Sequence, residues 1–284
     1  MVDNPPIYTI GHSPDPDDAF MFYAIAAQKI DLRGYTFRHQ LEDIQTLNER
    51  ATHGELEISA VSIHAYAYLT DKYALLPCGA SMGDGYGPVV VSANDAQYAD
   101  APAWLRGKTI AVPGTMTSAF LALQLYLGAF EYLIVPFDQI FEAVKSGRAD
   151  AGLIIHEGQL TYARGGFHKI LDLGEWWKTK TGLPLPLGGN VLRKDIPQEI
   201  QRDLASILRE SIEFGLAHRE EAVQHSMPYA RDMDSALASK FIGMYVNDYT
   251  RDYGERGREA IRRFLRDARA AGYIKRDVAV EFVE

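Results

Sequence analysis

The chain contains one cysteine, Cys78, among 284 residues. A single thiol cannot form an internal disulfide or build a zinc cluster, and such sparse cysteine usage is typical of proteins in a reducing compartment. No run of about 18 apolar residues occurs, so no membrane-spanning helix is predicted. Residues 1–6 have neither a basic region nor an apolar stretch, so no secretory signal is recognised. We therefore expect a cytoplasmic protein without a membrane partner.

Basic residues are in deficit, with 29 Lys and Arg against 38 Asp and Glu and a net charge of -9. Nucleic-acid binding depends on clusters of Lys and Arg that neutralise phosphates, so no nucleic-acid partner is expected. The hydrophobic fraction of 47% is that of an ordinary globular chain. The length suits one large domain or two of ordinary size, and no pattern indicates an oligomeric state.

One phrase occurs twice: a glycine, an acid three residues later, an apolar strand and then a polar residue. The copies cover residues 54–64 and 147–158, and their strands lead to Ser62 and His156. A strand that is apolar throughout suits a parallel sheet covered by helices. Ligands of open α/β sheets bind just beyond the carboxyl ends of the strands, so both side chains are expected at a ligand cleft. The alternative is that the phrase is a common helix-to-strand turn.

The repeat predicts an α/β protein of two similar lobes that share the cleft. We place lobe 1 at residues 1–93 plus 191–284 and lobe 2 at residues 94–190. Strand-like segments near Val89 and Val191 are interpreted as the two connections between the lobes. The Pro- and Gly-rich residues 182–189 are interpreted as a loop over the cleft. A helix is predicted from Ala19 to Lys29, and the last third of the chain is predicted to be helical.

A second candidate site follows the predicted strand over residues 109–112. A glycine-containing turn leads through Thr117 and Ser118 into a predicted helix. The free N–H groups and the dipole of a helix start attract anions, and the two hydroxyls can add donors. The alternative is that these hydroxyls only cap the helix.

Several enzyme signatures fail on inspection. Residues 11–15 lack the second glycine of a hydrolase elbow, and the glycine-rich residues 81–88 precede a strand and contain no Lys, unlike a phosphate-binding loop. His156 and Glu157 lack the second histidine of a zinc-protease motif. No glycine fingerprint for a dinucleotide opens a helix. These exclusions favour a cofactor-independent site with a histidine base and hydroxyl donors.

Four ordered segments together resemble one known family. They are SPDPDDAFMFYA at 13–24, LEDIQTLN at 41–48, GLIIHE at 152–157 and TGLPLPLG at 181–188, and YVN at 245–247 adds to them. In these segments the chain resembles the 1,4-dihydroxy-6-naphthoate synthases, which act in the futalosine route to menaquinone. The likeness spans nearly the whole chain.

The resemblance implies the two-lobed fold of type II periplasmic binding proteins, with no cofactor and no metal. It implies a lyase that converts cyclic dehypoxanthinylfutalosine, a small carboxylate, into 1,4-dihydroxy-6-naphthoate. Carried over by matching motif, His156 would be the general base. The hydroxyls that contact the ligand would belong to Ser62, Thr117 and Ser118.

The chain departs from the family in the loop that follows its first strand. The family pattern there is Ser-Pro-Cys-Pro-Asn-Asp-Thr-Phe, whereas this chain has Asp15, Asp17 and Ala19 at the variable positions. A carboxylate of Asp17 about 4 Å from a bound carboxylate would cost roughly 4 kcal/mol at an effective dielectric constant of 20. Asp17 therefore points away, holds a water or a proton, or marks an altered substrate. A related enzyme, such as a chorismate dehydratase, and a non-catalytic small-carboxylate binding protein are the alternatives.

Overall fold

The computed structural model describes residues 6–94, 100–231 and 233–284. The prediction about a secretory signal falls largely on residues 1–5, which lie outside the described residues. The strands are β1 Ile7–His12, β2 Thr36–Leu41, β3 Ile58–Ser62, β4 Tyr73–Leu75, β5 Ser81–Gly83, β6 Val89–Ser92, β7 Thr109–Val112, β8 Glu131–Ile134, β9 Ala151–Ile154, β10 His168–Asp172 and β11 Leu185–Arg193.

Helices connect most of these strands. Those of the first half are α1 Pro16–Met21, α2 Tyr23–Ala26, α3 Ile44–His53, α4 Ile63–Tyr66, α5 Ala101–Leu105, α6 Ser118–Leu127 and α7 Ile140–Lys145. Those of the second half are α8 Gly158–Thr161, α9 Leu173–Thr181, α10 Gln198–Ala217, α11 Arg219–Ser226, α12 Ser235–Tyr245, α13 Asp248–Arg251 and α14 Gly254–Ala270. Within the described parts of the chain, no helix has the length and apolarity needed to cross a bilayer.

The strands form two sheets with the same topology. The first has the order β2-β1-β3-β11-β4, with β5 also paired to β11, and the second has the order β8-β7-β9-β6-β10. In each sheet three neighbouring strands run parallel, and the strand after them, β11 or β6, runs antiparallel. Each antiparallel strand comes from a segment that passes between the sheets. The predicted α/β architecture with two similar halves is confirmed.

The acids of the repeated phrase have equivalent structural roles. A carboxylate oxygen of Glu57 accepts the N–H of Thr9 at 2.9 Å, and one of Asp150 accepts the N–H of Thr109 at 3.0 Å. In each half, therefore, the acid at the start of the third strand satisfies a backbone donor of the first. The glycine that opens each phrase has a positive φ, 72° in one copy and 74° in the other, which a side chain would strain. The phrase is thus a repeated structural unit.

Two local predictions were wrong. The helix expected from Ala19 to Lys29 is two short helices that meet at Phe22, and the first begins at Pro16. Residues 185–189, expected in a loop, belong to β11, which accommodates Pro186 at a shift of register against β5. The chain passes from the first sheet to the second before β6 and returns to the first before β11. Both passages lie a few residues before the proposed lobe boundaries. The lobe limits of 1–93 plus 191–284 and 94–190 stay predictions.

One apolar core connects the two sheets. It contains Val61 and Val191 from the first sheet and Ile110 and Leu153 from the second, together with side chains from α6, α9 and α14. At its centre lies Trp177, which is fully buried. The indole N–H donates to the carbonyl oxygen of Pro184 at 3.1 Å, and the ring meets that of Phe264 edge-on at 5.4 Å.

Trp177→Ala should lower the free energy of unfolding by about 3–5 kcal/mol, because it empties a closely packed site. The neighbouring Trp176 is partly exposed, so Trp176→Ala is the matched control and should cost about 1 kcal/mol. Urea denaturation followed by circular dichroism measures both. Equal losses in the two variants would show that Trp177 does not hold this core together.

Candidate active site

A cavity lies where the two sheets meet, beyond the carboxyl ends of β1 and β3. From the first half it is lined by the loop and helix after β1, by the end of β3 and by the middle of β11. The main polar residues there are Ser13, Asp15, Asp17, Asp18, Ser62 and Asn190. From the second half it is lined by Thr117, Ser118, Ala119 and Ile155, and α12 adds Phe241 and Tyr245. The position agrees with the general location of ligand sites in open α/β sheets.

Ser62 stands at the end of β3 and is held by one buried side chain. The amide oxygen of Asn48 accepts the Ser62 N–H at 2.8 Å, and its amide nitrogen donates to the Ser62 hydroxyl oxygen at 3.0 Å. The hydroxyl does not cap α4. Among the described residues, no protein oxygen accepts its hydrogen. Ser62 therefore offers a fixed donor to the cavity.

Thr117 and Ser118 have hydroxyls that are already bonded to protein. The Thr117 hydroxyl accepts the N–H of Phe120 at 3.2 Å as the cap of α6 and donates to Gly114 at 3.0 Å. The Ser118 hydroxyl accepts the N–H of His64 at 3.1 Å and donates to the carbonyl oxygen of Leu187 at 2.5 Å. Both side chains are buried. The capping role considered for these residues is thus present in the structure.

The backbone at the start of α6 supplies donors instead. The N–H groups of Ser118 and Ala119 lie in the first turn, where a helix provides no acceptor. Both residues line the cavity beside Ser62. A ten-residue helix that points its start at a cavity attracts negative charge there. This side of the cavity is suited to an anion.

The carboxyl groups of the loop after β1 also line the cavity. An oxygen of Asp18 accepts the N–H of Ser13 at 2.7 Å, and one of Asp15 accepts the Ser13 hydroxyl at 2.8 Å. Burial raises the pKa of Asp18 to about 7, helped by the charge of Asp15 and opposed by the Ser13 bond. Burial, followed by the charges of Asp18 and Asp15, raises the pKa of Asp17 well above its usual range. Asp17 does not point away from the cavity, and its raised pKa favours the protonated state.

His156 follows Ile155, but the residues that line the cavity do not include it. The ring is buried and lies edge-on to those of Phe137 and Phe141. Its Nδ1 atom accepts the N–H of Gly158 at 3.1 Å, whereas Nε2 is buried and has no partner in the described residues. Because Nδ1 is an acceptor in this arrangement, the neutral ring carries its proton on Nε2.

Glu157 links His156 to the rest of the cleft. One of its oxygens lies 3.6 Å from Nδ1 of His156, and the other accepts from Arg231 at 3.2 Å. Burial raises the pKa of Glu157, but the proximity of His156 and the charge of Arg231 outweigh burial and lower it. Arg231 also donates to the carbonyl oxygen of Pro14 at 2.9 Å and lies 3.4 Å from an Asp15 oxygen. One guanidinium thus joins the loop after β1 to the residue beside His156.

Further contacts cross between the halves near the cavity. The hydroxyl of Tyr245 donates to the side-chain oxygen of Gln159 at 2.6 Å, and the backbone N–H of Met116 donates to that of Gln45 at 3.1 Å. The bond from Ser118 to Leu187 crosses in the same region. With Arg231, these bonds hold the two halves together around the cavity, as in a closed cleft.

The structure brings together Ser62, Thr117, Ser118 and Asp17 at the cavity. His156 follows the cavity-lining Ile155 but does not line the cavity itself. Sequence reasoning missed Asn48, Asn190 and Arg231 as parts of the site. A polar residue directly after Gly188 and Gly189 in an otherwise apolar strand was a usable signal for Asn190. Arg231 sits in a segment without any motif. Within the described residues, no group of three or more His, Cys, Asp or Glu side chains is arranged to hold a metal ion.

Solved structures show the fold. A crystal structure of a protein from Archaeoglobus fulgidus is 44% identical, with a TM-score of 0.89 over 96% of this chain and 100% of that one. A Candida albicans protein with the periplasmic binding protein fold is 12% identical, with a TM-score of 0.74 over 96% of this chain and 92% of its own. The alkanesulfonate-binding protein of Xanthomonas axonopodis pv. citri has a TM-score of 0.69 at 12% identity, with 98% of each chain covered. The expected two-lobed periplasmic-binding-protein-like fold is confirmed.

Sequence comparisons identify the family. Two 1,4-dihydroxy-6-naphthoate synthases, from Thermus thermophilus and Streptomyces coelicolor, are each 38% identical to this chain over 93% of its length and 94% of theirs. A family model described as menaquinone biosynthesis matches residues 8–270. The chain therefore belongs to the menaquinone biosynthesis family.

Proposed function

We propose that this protein is a carbon–carbon lyase that converts cyclic dehypoxanthinylfutalosine into 1,4-dihydroxy-6-naphthoate in the futalosine pathway, without a cofactor. The observation that carries the proposal is the cavity, which is lined by a fixed hydroxyl donor, a helix start and several carboxyl groups. The two synthases with 38% identity support the same reaction. The experiment that tests it is incubation with that substrate and detection of the naphthoate by mass spectrometry.

The ligand carboxylate is assigned to the wall formed by Ser62 and the start of α6. The donors are the Ser62 hydroxyl and the N–H groups of Ser118 and Ala119, because the hydroxyls of Thr117 and Ser118 are bonded to protein. The carboxyl groups of Asp17 and Asp18 line the same cavity. When protonated they add no negative charge and can donate hydrogen bonds, as carboxylic acids do in apolar sites.

His156 is assigned as the general base that removes a proton from a hydroxyl of the sugar-derived part of the substrate, which starts carbon–carbon cleavage. In that step Nε2 must present a lone pair, so the ring proton must lie on Nδ1. A small movement of the ring turns Nδ1 from the Gly158 N–H to the Glu157 oxygen at 3.6 Å. The ionised Glu157 then stabilises the imidazolium that forms, in the way an acid orients a catalytic histidine.

A non-catalytic carboxylate-binding protein is the competing proposal. It is favoured by one observation, the position of His156 behind the residues that line the cavity. The two proposals differ in turnover and agree on ligand binding, so a protein that binds the naphthoate but does not form it from the substrate would be a binding protein.

His156→Asn should lower the turnover number at least about a hundredfold, because a positioned base contributes roughly 10²–10⁴ in rate. The side chain is similar in size, so folding and product binding should persist. Steady-state kinetics with the substrate, together with calorimetry of product binding, separates these effects. Turnover within about threefold of the parent would show that His156 has a structural role.

Ser62→Ala should weaken product binding at least about tenfold, because a hydrogen bond to a charged group is worth roughly 1.5–3 kcal/mol. Thr117→Val is the control: it removes the helix cap at a cost of about 0.5–2 kcal/mol in stability and should change affinity by less than about threefold. Calorimetry and thermal denaturation measure the two effects. A larger loss of affinity in Thr117→Val than in Ser62→Ala would contradict the assignment.

Product affinity should fall as the pH rises through about 7, the pKa to which burial raises Asp18. Below this pH the side chain is neutral, and above it a carboxylate repels the bound carboxylate. The change between pH 6 and 8 should be roughly tenfold, from a charge effect of one to two kcal/mol. Asp18→Asn keeps an acceptor for the Ser13 N–H and should flatten the profile. A variant with the parent's pH profile would show that another group is responsible.

A further inference from the structure

Asn190 lies in the middle of β11 and lines the cavity. In the register of the sheet, Ser62 lies opposite Gly188 and Ala60 lies opposite Asn190. Residues two apart on a strand face the same way, so Ser62 and Asn190 share the face that lines the cavity. As diagonal neighbours on paired strands they are roughly 7–8 Å apart, which is about the length of a two-ring aromatic acid.

The amide of Asn190 has a fixed orientation. Its Nδ2 donates to the carbonyl oxygen of Gly79 at 3.1 Å, and the opposite orientation would place two oxygens against each other. Its Oδ1 is buried and has no hydrogen-bond donor among the described residues. The residue as a whole is only 1% exposed. A buried acceptor without a donor costs free energy. Because this acceptor belongs to a residue that lines a ligand cavity, we expect the ligand to supply the donor.

The backbone at Gly79 allows the side chain of Asn190 to approach closely. Gly79 has a φ of +82°, and a Cβ atom on it would lie 2.3 Å from Nδ2 of Asn190. Only glycine therefore allows the close approach that fixes the amide. The bond also directs Oδ1 away from Gly79, so that the oxygen is the free end of the side chain.

We propose that Oδ1 of Asn190 is a specificity-determining acceptor for a hydroxyl group on the ring of the ligand remote from its carboxylate. An amide oxygen can accept only, so it favours a hydroxyl and disfavours a carboxylate at this end of the cavity. Ser62 and the start of α6 hold the carboxylate at the other end, and the ligand lies in one direction. This inference rests on the proposed function, which supplies a hydroxylated bicyclic acid as the ligand.

The structural alternative is that Asn190 only ties β11 to the segment that contains Gly79. That role uses Nδ2 and leaves the preference for ligand hydroxyls unchanged. A measurement of relative affinity for two ligands with and without hydroxyls separates the roles, because a general loss of stability or of cavity shape affects both ligands.

The probes are 1,4-dihydroxy-6-naphthoate and naphthalene-2-carboxylate, which has the same ring system and carboxylate but no hydroxyl. Affinities are measured by calorimetry without oxygen for the full-length protein and for two variants. Asn190→Leu removes both polar atoms at similar size. Asn190→Asp keeps an acceptor oxygen. At a pH at which this buried carboxyl is protonated, its O–H replaces the donation of Nδ2 to Gly79, so both ligands meet the same neutral group and the ratio of affinities remains informative. Asn190→Ala replaces the leucine variant if that protein does not fold.

The parent protein should prefer the dihydroxy acid at least about tenfold, since a site built for a hydroxyl rejects the analogue without it. The ratio should fall about fivefold or more in Asn190→Leu and stay near the parent value in Asn190→Asp. An unchanged ratio in Asn190→Leu, or the same fall in both variants, would overturn the inference while leaving the proposed function intact. Failure of the parent to bind the dihydroxy acid at all would overturn the proposed function and the inference with it.

Discussion

The candidate site depends on one buried amide, that of Asn48. Both of its polar atoms bond Ser62, one at the backbone N–H and the other at the hydroxyl oxygen. Asn48 is fully buried in α3, so the amide cannot turn to solvent without breaking both bonds. Because the hydroxyl oxygen already accepts from Asn48, its hydrogen is directed away from the amide. The geometry of the anion wall thus follows from a residue that does not line the cavity.

The acidic loop after β1 shows how burial reduces the negative charge of a group of carboxyl side chains. A cleft that receives a carboxylate is an unfavourable place for Asp15, Asp17 and Asp18 if all three are charged. Burial is the main effect that raises the pKa of each carboxyl group, and a neighbouring carboxylate adds to it: Glu157 at Asp15, Asp18 at Asp17 and Asp15 at Asp18. Fewer than three negative charges are therefore favoured near neutral pH. The same low exposure that makes ionised carboxylates costly makes protonated ones useful as donors. The acidic loop is therefore compatible with an anionic ligand.

Most of the fold could be predicted from the sequence because the strands are short apolar runs between turn residues. The repeated phrase also has a physical cause. Glu57 and Asp150 occupy equivalent positions because each satisfies a backbone donor of a neighbouring strand, and this bond recurs wherever the turn recurs. The misassigned residues 185–189 show the limit of local patterns. Pro and Gly favour loops, but the pairing of β11 with β3 and β5 outweighs that preference.

The candidate site was less predictable because its members come from distant parts of the chain. Ser62, Thr117 and Ser118 were found since they end strands or begin helices, where the backbone itself points to ligands. Asn190 gave a weaker signal, a polar residue after two glycines in an apolar strand, and Arg231 gave none. The role of Asn190 depends on Gly79, 111 residues away, and that of Arg231 on Pro14 and Glu157. Such contacts exist only once the chain is folded.

Arg231 also gives Asp15 a structural role in the cleft. Asp15 lies near Glu157, whose charge adds to the larger effect of burial in raising the pKa of Asp15. Arg231 contacts both carboxyl groups and the carbonyl oxygen of Pro14, so its positive charge offsets that repulsion in the closed arrangement. The guanidinium is 38% exposed, and solvent therefore weakens each pair. Because these bonds join the loop after β1 to Glu157 in the second half, the ion triad is a contact between the two halves.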